Sequence, residues 1–192
     1  MEEEGDLVEL DDLIKTKLFD AQGSRVGHLH DLAIDLEAER PLVTHLGAHL
    51  EWTDQVGGIE LVRPVENIVF LIPWSEVSGE DDEGLHLSGV HPNFPAASTR
   101  GRTLARRDLL NKQMVDEEGN RLQRVDNVLL EKAGRALYLV GIEVSLGWLP
   151  ASATMEKLLA RLRKRHGAKP DLNLIPWEAI ARVDEDQVVI TV

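Results

Sequence analysis

Apolar residues alternate with polar ones in short runs along most of the chain, a spacing typical of β-strands with one buried face. The first long run places apolar residues at Val26, Leu29, Leu32, Ile34 and Leu36. The step from Leu29 to Leu32 is three residues instead of two. A β-bulge at such a step keeps both parts of a bent strand facing one core. The pattern therefore predicts a mainly β protein with bent strands.

The same bent pattern occurs a second time, further along the chain. Apolar residues stand at Leu122, Val125, Val128 and Leu130, again with steps of three. A repeated irregularity is more informative than a repeated regular alternation, because regular strands resemble one another in any β protein. The recurrence indicates that one structural module is present twice.

A turn with the pattern D-x-x-G-x-R precedes each bent strand. An Asp carboxylate at the start of a turn can accept local backbone N–H groups, and glycine suits the position that needs a positive φ angle. The turn residues are Asp20, Gly23 and Arg25 in the first copy, and Asp116, Gly119 and Arg121 in the second. Asp116 lies 96 residues after Asp20.

A Leu-Ile-Pro-Trp motif also occurs twice, as Pro73-Trp74 and as Pro176-Trp177 with the two preceding residues. Proline cannot donate to a central β-ladder, so a strand ends or reaches an edge at each motif. Pro176 lies 103 residues after Pro73, so the second copy contains about 7 additional residues. The recurrence favours a structural role for both tryptophans, at the point where each module closes.

The additional residues lie in a stretch of different periodicity. Met155, Leu158, Leu159 and Leu162 follow the i, i+3, i+4, i+7 spacing of an amphipathic helix. We predict a helix over about residues 152–166, inserted into the second copy. A basic amphipathic helix can dock on its own domain, lie on an anionic membrane or receive a partner.

Composition divides the chain into four segments. They are an acidic tail at 1–8, a first repeat at 9–90, a linker rich in Pro, Gly and small hydroxyl residues at 91–103, and a second repeat at 104–192.

Charge and residue usage restrict the functional class. The net charge of −13 argues against a surface that binds nucleic acid as a whole. There is no cysteine, which excludes disulfides and thiolate chemistry. The N-terminal residues are acidic and lack the features of a secretory signal, and no apolar run is long enough to span a membrane. We therefore expect a cytoplasmic protein.

Four histidines form the candidate metal site. His28 and His30 share one face of the bent strand, and His45 and His49 share one face of the next. Neutral imidazole is a common nitrogen ligand of transition metals. The second repeat has Arg124 and Asp126 where the first has His28 and His30, so the module does not require imidazoles there. Exposed histidines on a strand face are the alternative.

Sequence motifs for catalysis are absent. The chain has no G-x-S-x-G nucleophile motif, no P-loop and no G-x-G-x-x-G dinucleotide motif. We therefore expect no enzymatic activity and no cofactor.

With the turn, the bent strand and the Ile-Pro-Trp ending present twice and in the same order, the sequence resembles tandem PRC-barrel proteins. PRC-barrels are small β-barrels found in the H subunit of photosynthetic reaction centres and in the C-terminal part of a ribosome maturation factor. The resemblance extends from about Leu7 to Val192. It implies a mainly β fold of two small barrels in tandem, each of five or six strands, the second with the inserted helix.

The second repeat has a narrower resemblance. The stretch from Leu139 to Leu149, the basic helix and the stretch from Leu174 to Trp177 are similar to the region before the MgtE-type and CBS domains of certain bacterial proteins. Those proteins are related to magnesium transporters. Their downstream domains are absent from this sequence, so a free-standing protein and a fragment both stay open.

These resemblances imply a non-enzymatic adaptor or regulatory module, linked to magnesium transport, whose partner is a membrane transporter or a second copy of the chain. The inserted helix is what the second repeat adds, so we expect it to contact the partner. The predicted contact residues are Trp148, Leu149, Leu158, Arg161, Leu162 and Arg165.

Two alternatives come from other functional classes. RNA or ribosome binding follows by analogy with the maturation factor, and would use the helix together with Arg100, Arg102, Arg106 and Arg107. A metal-binding protein would use the four histidines.

Overall fold

The computed structural model describes residues 5–56, 59–64, 69–90, 101–144, 160 and 173–191. The chain is mainly β, as predicted, and its strands belong to a large mixed sheet. The strands are β1 Asp6–Glu9, β2 Lys17–Phe19, β3 Arg25–Asp35, β4 Leu42–Val56, β5 Ile59–Pro64, β6 Phe70–Pro73, β7 Val77–Glu80, β8 Leu85–Leu87, β9 Thr103–Leu104, β10 Gln113–Val115, β11 Arg121–Ala133, β12 Ala136–Val144, β13 Leu174–Pro176, β14 Ile180–Val183 and β15 Gln187–Ile190.

Helical segments in the described residues are short. The α-helix α1 is Leu10–Leu13, a π-helical turn is Ala105–Leu109, and two 3-10 helices are Trp74–Glu76 and Trp177–Ala179. Within the residues that the structure describes, no helix has the length and apolar character that a membrane crossing requires. The predicted helix at 152–166 lies outside the described residues, apart from Ala160, which is helical and exposed.

The chain divides into two compact units. The first combines segments of both sequence repeats, and the second contains residues of the first repeat and the linker together with Leu104. One unit consists of residues 1–11, 36–42 and 105–192, and the other of 12–35 and 43–104. The N-terminal residues 6–9 form β1, although most of them belong to the segment that composition marks as an acidic tail.

The two sets of strands follow the same order. In the unit built mainly from the first repeat the order is β7-β8-β2-β3-β4, and β6 pairs with β4. In the other unit the order is β14-β15-β10-β11-β12, and β13 pairs with β12. The β2–β8 and β10–β15 pairs are parallel, at matching places in the two orders. The same strand order thus occurs twice among the described residues.

Backbone hydrogen bonds repeat at the same offset of 96 residues that the turns have. The N–H of Lys15 donates to the carbonyl oxygen of Leu29 at 2.8 Å, and the N–H of Asn111 donates to that of Val125 at 2.8 Å. Lys15 and Asn111 also share a positive φ angle, 74° and 62°. Such angles are uncommon outside glycine, so their recurrence indicates one local fold used twice.

The predicted bulge of the second bent strand is confirmed. The register of β11 against β12 shifts between Val125 and Asn127. The side-chain oxygen of Asn127 accepts the N–H of Val128 at 2.9 Å, and the buried Asp31 accepts the N–H of Leu32 at 2.7 Å in the first repeat. These side chains bond to the main chain where the strand bends.

Equivalent apolar side chains of the two repeats are buried. Leu18 and Met114 have no exposed surface, and the same holds for Leu46 and Ile142 and for Ile72 and Ile175. Burial of this kind, about 25 cal/mol per Å² of apolar surface, drives folding of each unit. Among the described residues the strand pairings do not close either set into a barrel. The two tandem barrels therefore stay a prediction.

Candidate functional site

Three of the four predicted histidines lie side by side on the first repeat. The ring of His49 is 4.0 Å from that of His30 and 5.4 Å from that of His28, measured between centroids. His28 and His30 share a face of β3 because they are two residues apart, and His49 comes from β4. We call His28, His49 and His30 the imidazole row. All three side chains are half-buried.

A carboxylate and a guanidinium lie at one end of the imidazole row. Glu51 is two residues after His49 on β4, and its Oε1 accepts a hydrogen bond from Arg25 at 2.9 Å. The same oxygen is 3.7 Å from Nδ1 of His28. Glu51 therefore balances the charge of Arg25 and lies beside His28. The sequence prediction did not include Glu51, although its spacing from His49 could have revealed it.

The geometry of the imidazole row is one of neighbouring rings rather than of converging nitrogens. The planes of His30 and His49 are inclined by 35° at their short centroid separation. Over the described part of the chain, no group of three His, Asp or Glu residues is placed to hold a metal ion. The metal site therefore stays a prediction without support from this arrangement. A half-exposed row of rings is suited to contact a partner surface.

His45, the fourth predicted metal ligand, has different partners. Its Nδ1 is 3.0 Å from Oγ1 of Thr44 and 3.1 Å from a guanidinium nitrogen of Arg102. Four residues of strand separate it from His49, which is about 13 Å. Burial, followed by the nearby charge of Arg102, lowers the pKa of His45 below its usual value. The shift favours the neutral ring, whose Nδ1 can accept a hydrogen bond from Arg102.

The imidazole row belongs to the first repeat alone. The positions that match His28, His30 and His49 hold Arg124, Asp126 and Ser145 in the second repeat. Both repeats keep the same strand order and the same side-chain hydrogen bond to the next N–H in the bent strand, so the imidazoles are not needed to build the module.

The two D-x-x-G-x-R turns have closely similar geometry. Oδ1 of Asp20 accepts the N–H groups of Gln22 and Ser24, both at 2.9 Å. In the second turn the N–H of Asn120 donates to Asp116 at 2.7 Å, and the pKa of Asp116 is lowered chiefly by the side-chain hydrogen bond of Asn120. Gly23 and Gly119 adopt the predicted positive φ, at 78° and 85°. Both turn arginines are exposed, and Arg25 pairs with Glu51.

The Pro-Trp motifs end one strand and begin a 3-10 helix in each repeat. Pro73 is the last residue of β6 and Pro176 the last of β13. Trp74 and Trp177 are the first helical residues, and both are half-buried.

The predicted partner-contact residues lie outside the described residues. They are Trp148, Leu149, Leu158, Arg161, Leu162 and Arg165.

The basic residues of the RNA alternative are partly described. Arg100 lies outside the described residues, Arg102 contacts His45, and Arg107 pairs with Asp108 at 2.7 Å. At least part of this positive charge therefore interacts with other residues of the same chain.

A buried carboxylate that the sequence prediction missed lies on β11. The side chain of Glu131 is 1% exposed and forms an ion pair with Arg40. The guanidinium of Arg40 also lies over the ring of Tyr138, 4.0 Å from its centroid. Both partners of Arg40 belong to the second repeat, so this first-repeat arginine anchors its segment there. The sequence did contain a signal for Glu131, because it is an acid within the apolar run of a bent strand.

Comparison of the sequence with protein-family models and with curated proteins gives no match. The resemblance to PRC-barrel proteins therefore rests on the repeated motifs, and stays a prediction.

Proposed function

We propose that this chain is a non-enzymatic adaptor of the PRC-barrel type, which binds a protein partner through surfaces that its two repeats do not share. The observation that carries the proposal is the imidazole row of His28, His49 and His30. It is a half-exposed, chemically distinctive surface on two strands, and it is present in one repeat only.

The strand order supports the barrel part of this proposal. The outer strands of the first set, β6 and β7, are consecutive in the chain and are joined by the 3-10 helix Trp74–Glu76. Three residues of 3-10 helix span about 6 Å, so the two edges of the set lie close together. The second set repeats this arrangement with β13, Trp177–Ala179 and β14. A small barrel whose edges meet at the Pro-Trp motif accounts for both.

The rigidity of its supports makes the imidazole row a suitable binding surface. Its side chains project from paired strands and not from loops. Little conformational freedom of the backbone is therefore lost on binding. Imidazole rings offer both flat apolar faces and hydrogen-bonding nitrogens. Glu51 and Arg25 add one charge of each sign at its end. The surface is therefore equipped for a protein interface with a polar rim.

The resemblance to magnesium-transporter-related proteins supplies the candidate partners. They are a membrane transporter and a second copy of this chain. The inserted segment from Trp148 to Arg165 is a second feature that the repeats do not share, and the sequence alone predicts that it contacts the partner.

An affinity isolation with cross-linking tests the proposal. The bait carries a tag without histidines, and the variant is His28→Ala/His30→Ala/His49→Ala. The matched control is Arg124→Ala/Asp126→Ala, at the equivalent strand positions of the second repeat. We expect recovery of the specific partner to fall at least about tenfold with the histidine variant and to be unchanged with the control.

Two outcomes contradict the proposal. One is that the histidine variant, folded by circular dichroism, recovers the same partners in the same amounts. The other is that the control variant loses them equally. A further variant, Arg161→Glu/Arg165→Glu, examines the inserted segment in the same assay.

The RNA-binding alternative has weaker support, because Arg102 and Arg107 have partners within the chain. RNA binding that weakens steeply with salt would favour it over the adaptor.

A further inference from the structure

The short strands β1 and β9 occupy equivalent positions in the two repeats. Leu7 and Thr103 are 96 residues apart, and so are Val8 and Leu104. This is the same offset that relates the turns and the bent strands. Each repeat therefore begins with a short strand of its own.

Each short strand pairs with the bent strand of the other repeat. In β1, Val8 lies opposite Leu130 of β11. In β9, Leu104 lies opposite Ala33 of β3. Because β3 and β11 are themselves equivalent, the exchange is reciprocal.

Side-chain contacts hold the exchanged strands in place. The carboxylate of Glu9 accepts a hydrogen bond from Asn127 at 3.0 Å, next to the bulge of β11. Leu104 is 4% exposed and forms a core cluster with Ala33 and Leu71. Both exchanged strands are thus part of a packed unit rather than loosely attached.

A third pairing is self-complementary. Leu42 of β4 lies opposite Tyr138 of β12, and these two residues are also 96 positions apart. The N–H of Leu139 donates to the carbonyl oxygen of Pro41 at 2.9 Å. Pairing of an element with its own equivalent is the hallmark of a symmetric homodimer interface.

We propose that the repeat is a self-association module, and that the partner each bent strand binds is the N-terminal strand of a second copy of the same module. In this chain the two copies are covalently joined, and each supplies the short strand that pairs with the bent strand of the other. The strand pairing carries this inference, since β1 pairs with β11 and β9 pairs with β3. The covalent link is then not needed to hold the halves together.

Cleavage of the purified full chain tests the proposal. A protease recognition sequence is inserted between Pro95 and Ala96, and the folded protein is cut to completion. We expect the two fragments to co-elute at the mass of the intact chain, 21.4 kDa plus the inserted site, in size-exclusion chromatography with light scattering. Separation of the fragments at micromolar concentration, whether folded or unfolded, overturns the proposal.

Substitutions in the exchanged strands identify what holds the fragments. Leu104→Ala should raise the dissociation constant of the cut protein at least about tenfold, because a buried leucine is lost from a core that both fragments build. Asp12→Ala, an exposed change close to β1, is the matched control and should leave the constant unchanged. Equal affinities for Leu104→Ala and the control contradict the exchange.

Hydrogen exchange in the uncut chain provides a second measurement that does not depend on fragment folding. Val8→Pro should raise amide exchange at Leu129 to Glu131, in the second repeat, and leave Leu32 to Ile34 protected. The opposite pattern, with exchange rising in the first repeat alone, also overturns the proposal.

Discussion

At the scale of single residues, the close approach of two backbone segments restricts which residue can stand at Gly27. A Cβ atom at Gly27 would overlap the carbonyl oxygen of His49. The equivalent position of the second repeat is Gln123, so the module itself does not demand glycine. Gly27 allows β3 and β4 to approach beside the imidazole row.

Gly27→Ala is therefore expected to destabilise the protein by about 2–3 kcal/mol, since the atoms it would meet are backbone and cannot rotate away. Gly79→Ala is the matched control, because a Cβ there meets nothing within 4 Å. We expect the control to change the free energy of unfolding by less than about 0.5 kcal/mol. Urea unfolding measures both, and a Gly27→Ala protein as stable as wild type would show that the strands lie further apart.

His45 links stability to pH. Burial and the charge of Arg102 lower its pKa in the folded protein below the value of 6.5 that it has when unfolded. The unfolded chain therefore binds more protons as the pH falls through 6.5, and the folded state loses stability. The free energy of unfolding should fall between pH 7.5 and pH 5.5 by more in wild type than in His45→Gln.

Urea unfolding at the two pH values checks this expectation. Glutamine can still accept the hydrogen bond of Arg102 but does not titrate. Arg102→Gln should give an intermediate pH dependence, because it removes the charge and keeps the burial. Identical pH dependence in wild type and His45→Gln would exclude this role of His45.

At the scale of elements, the connection between β3 and β4 is anchored by an ion pair. Arg40 in that connection pairs with Glu131 of β11, whose side chain is 1% exposed, while that of Arg40 is 32% exposed. Removing one partner of a buried pair leaves a charge that water cannot reach. Partial exposure of Arg40 moderates the effect.

We expect Arg40→Met to destabilise the protein by about 1–3 kcal/mol. The double variant Arg40→Met/Glu131→Gln should recover part of the loss, because the remaining side chain is neutral. A double-mutant cycle by urea unfolding measures the coupling between the two residues. Additive losses would mean that the pair contributes nothing specific.

The sequence predicts the turns, the bulge and the strand ends because each depends on residues that are close together in the chain. Asp20 accepts N–H groups within four positions and Gly23 supplies the positive φ angle, so their pattern predicts the turn. The bulge at Asn127 follows from one irregular step in an apolar series. Pro73 ends a strand because proline lacks an N–H group.

At the scale of the whole molecule, strand pairing departs from sequence order. Composition marks residues 1–8 as a tail, yet residues 6–9 form β1 and pair with β11. The pattern of a four-residue strand with an acid at either end is too short and too polar to identify. Its partner is more than 100 residues away, and nothing in the local sequence specifies that distance.

The duplication of a β module, its turns, its bends and the ends of its strands were determined by the sequence alone, because each depends on residues close together in the chain. The grouping of His28, His49 and His30, the separate role of His45 and the reciprocal exchange of β1 and β9 were decided only by the tertiary structure. The physical reason is register: period-2 alternation fixes which face a side chain occupies, but the alignment between strands fixes which side chains meet.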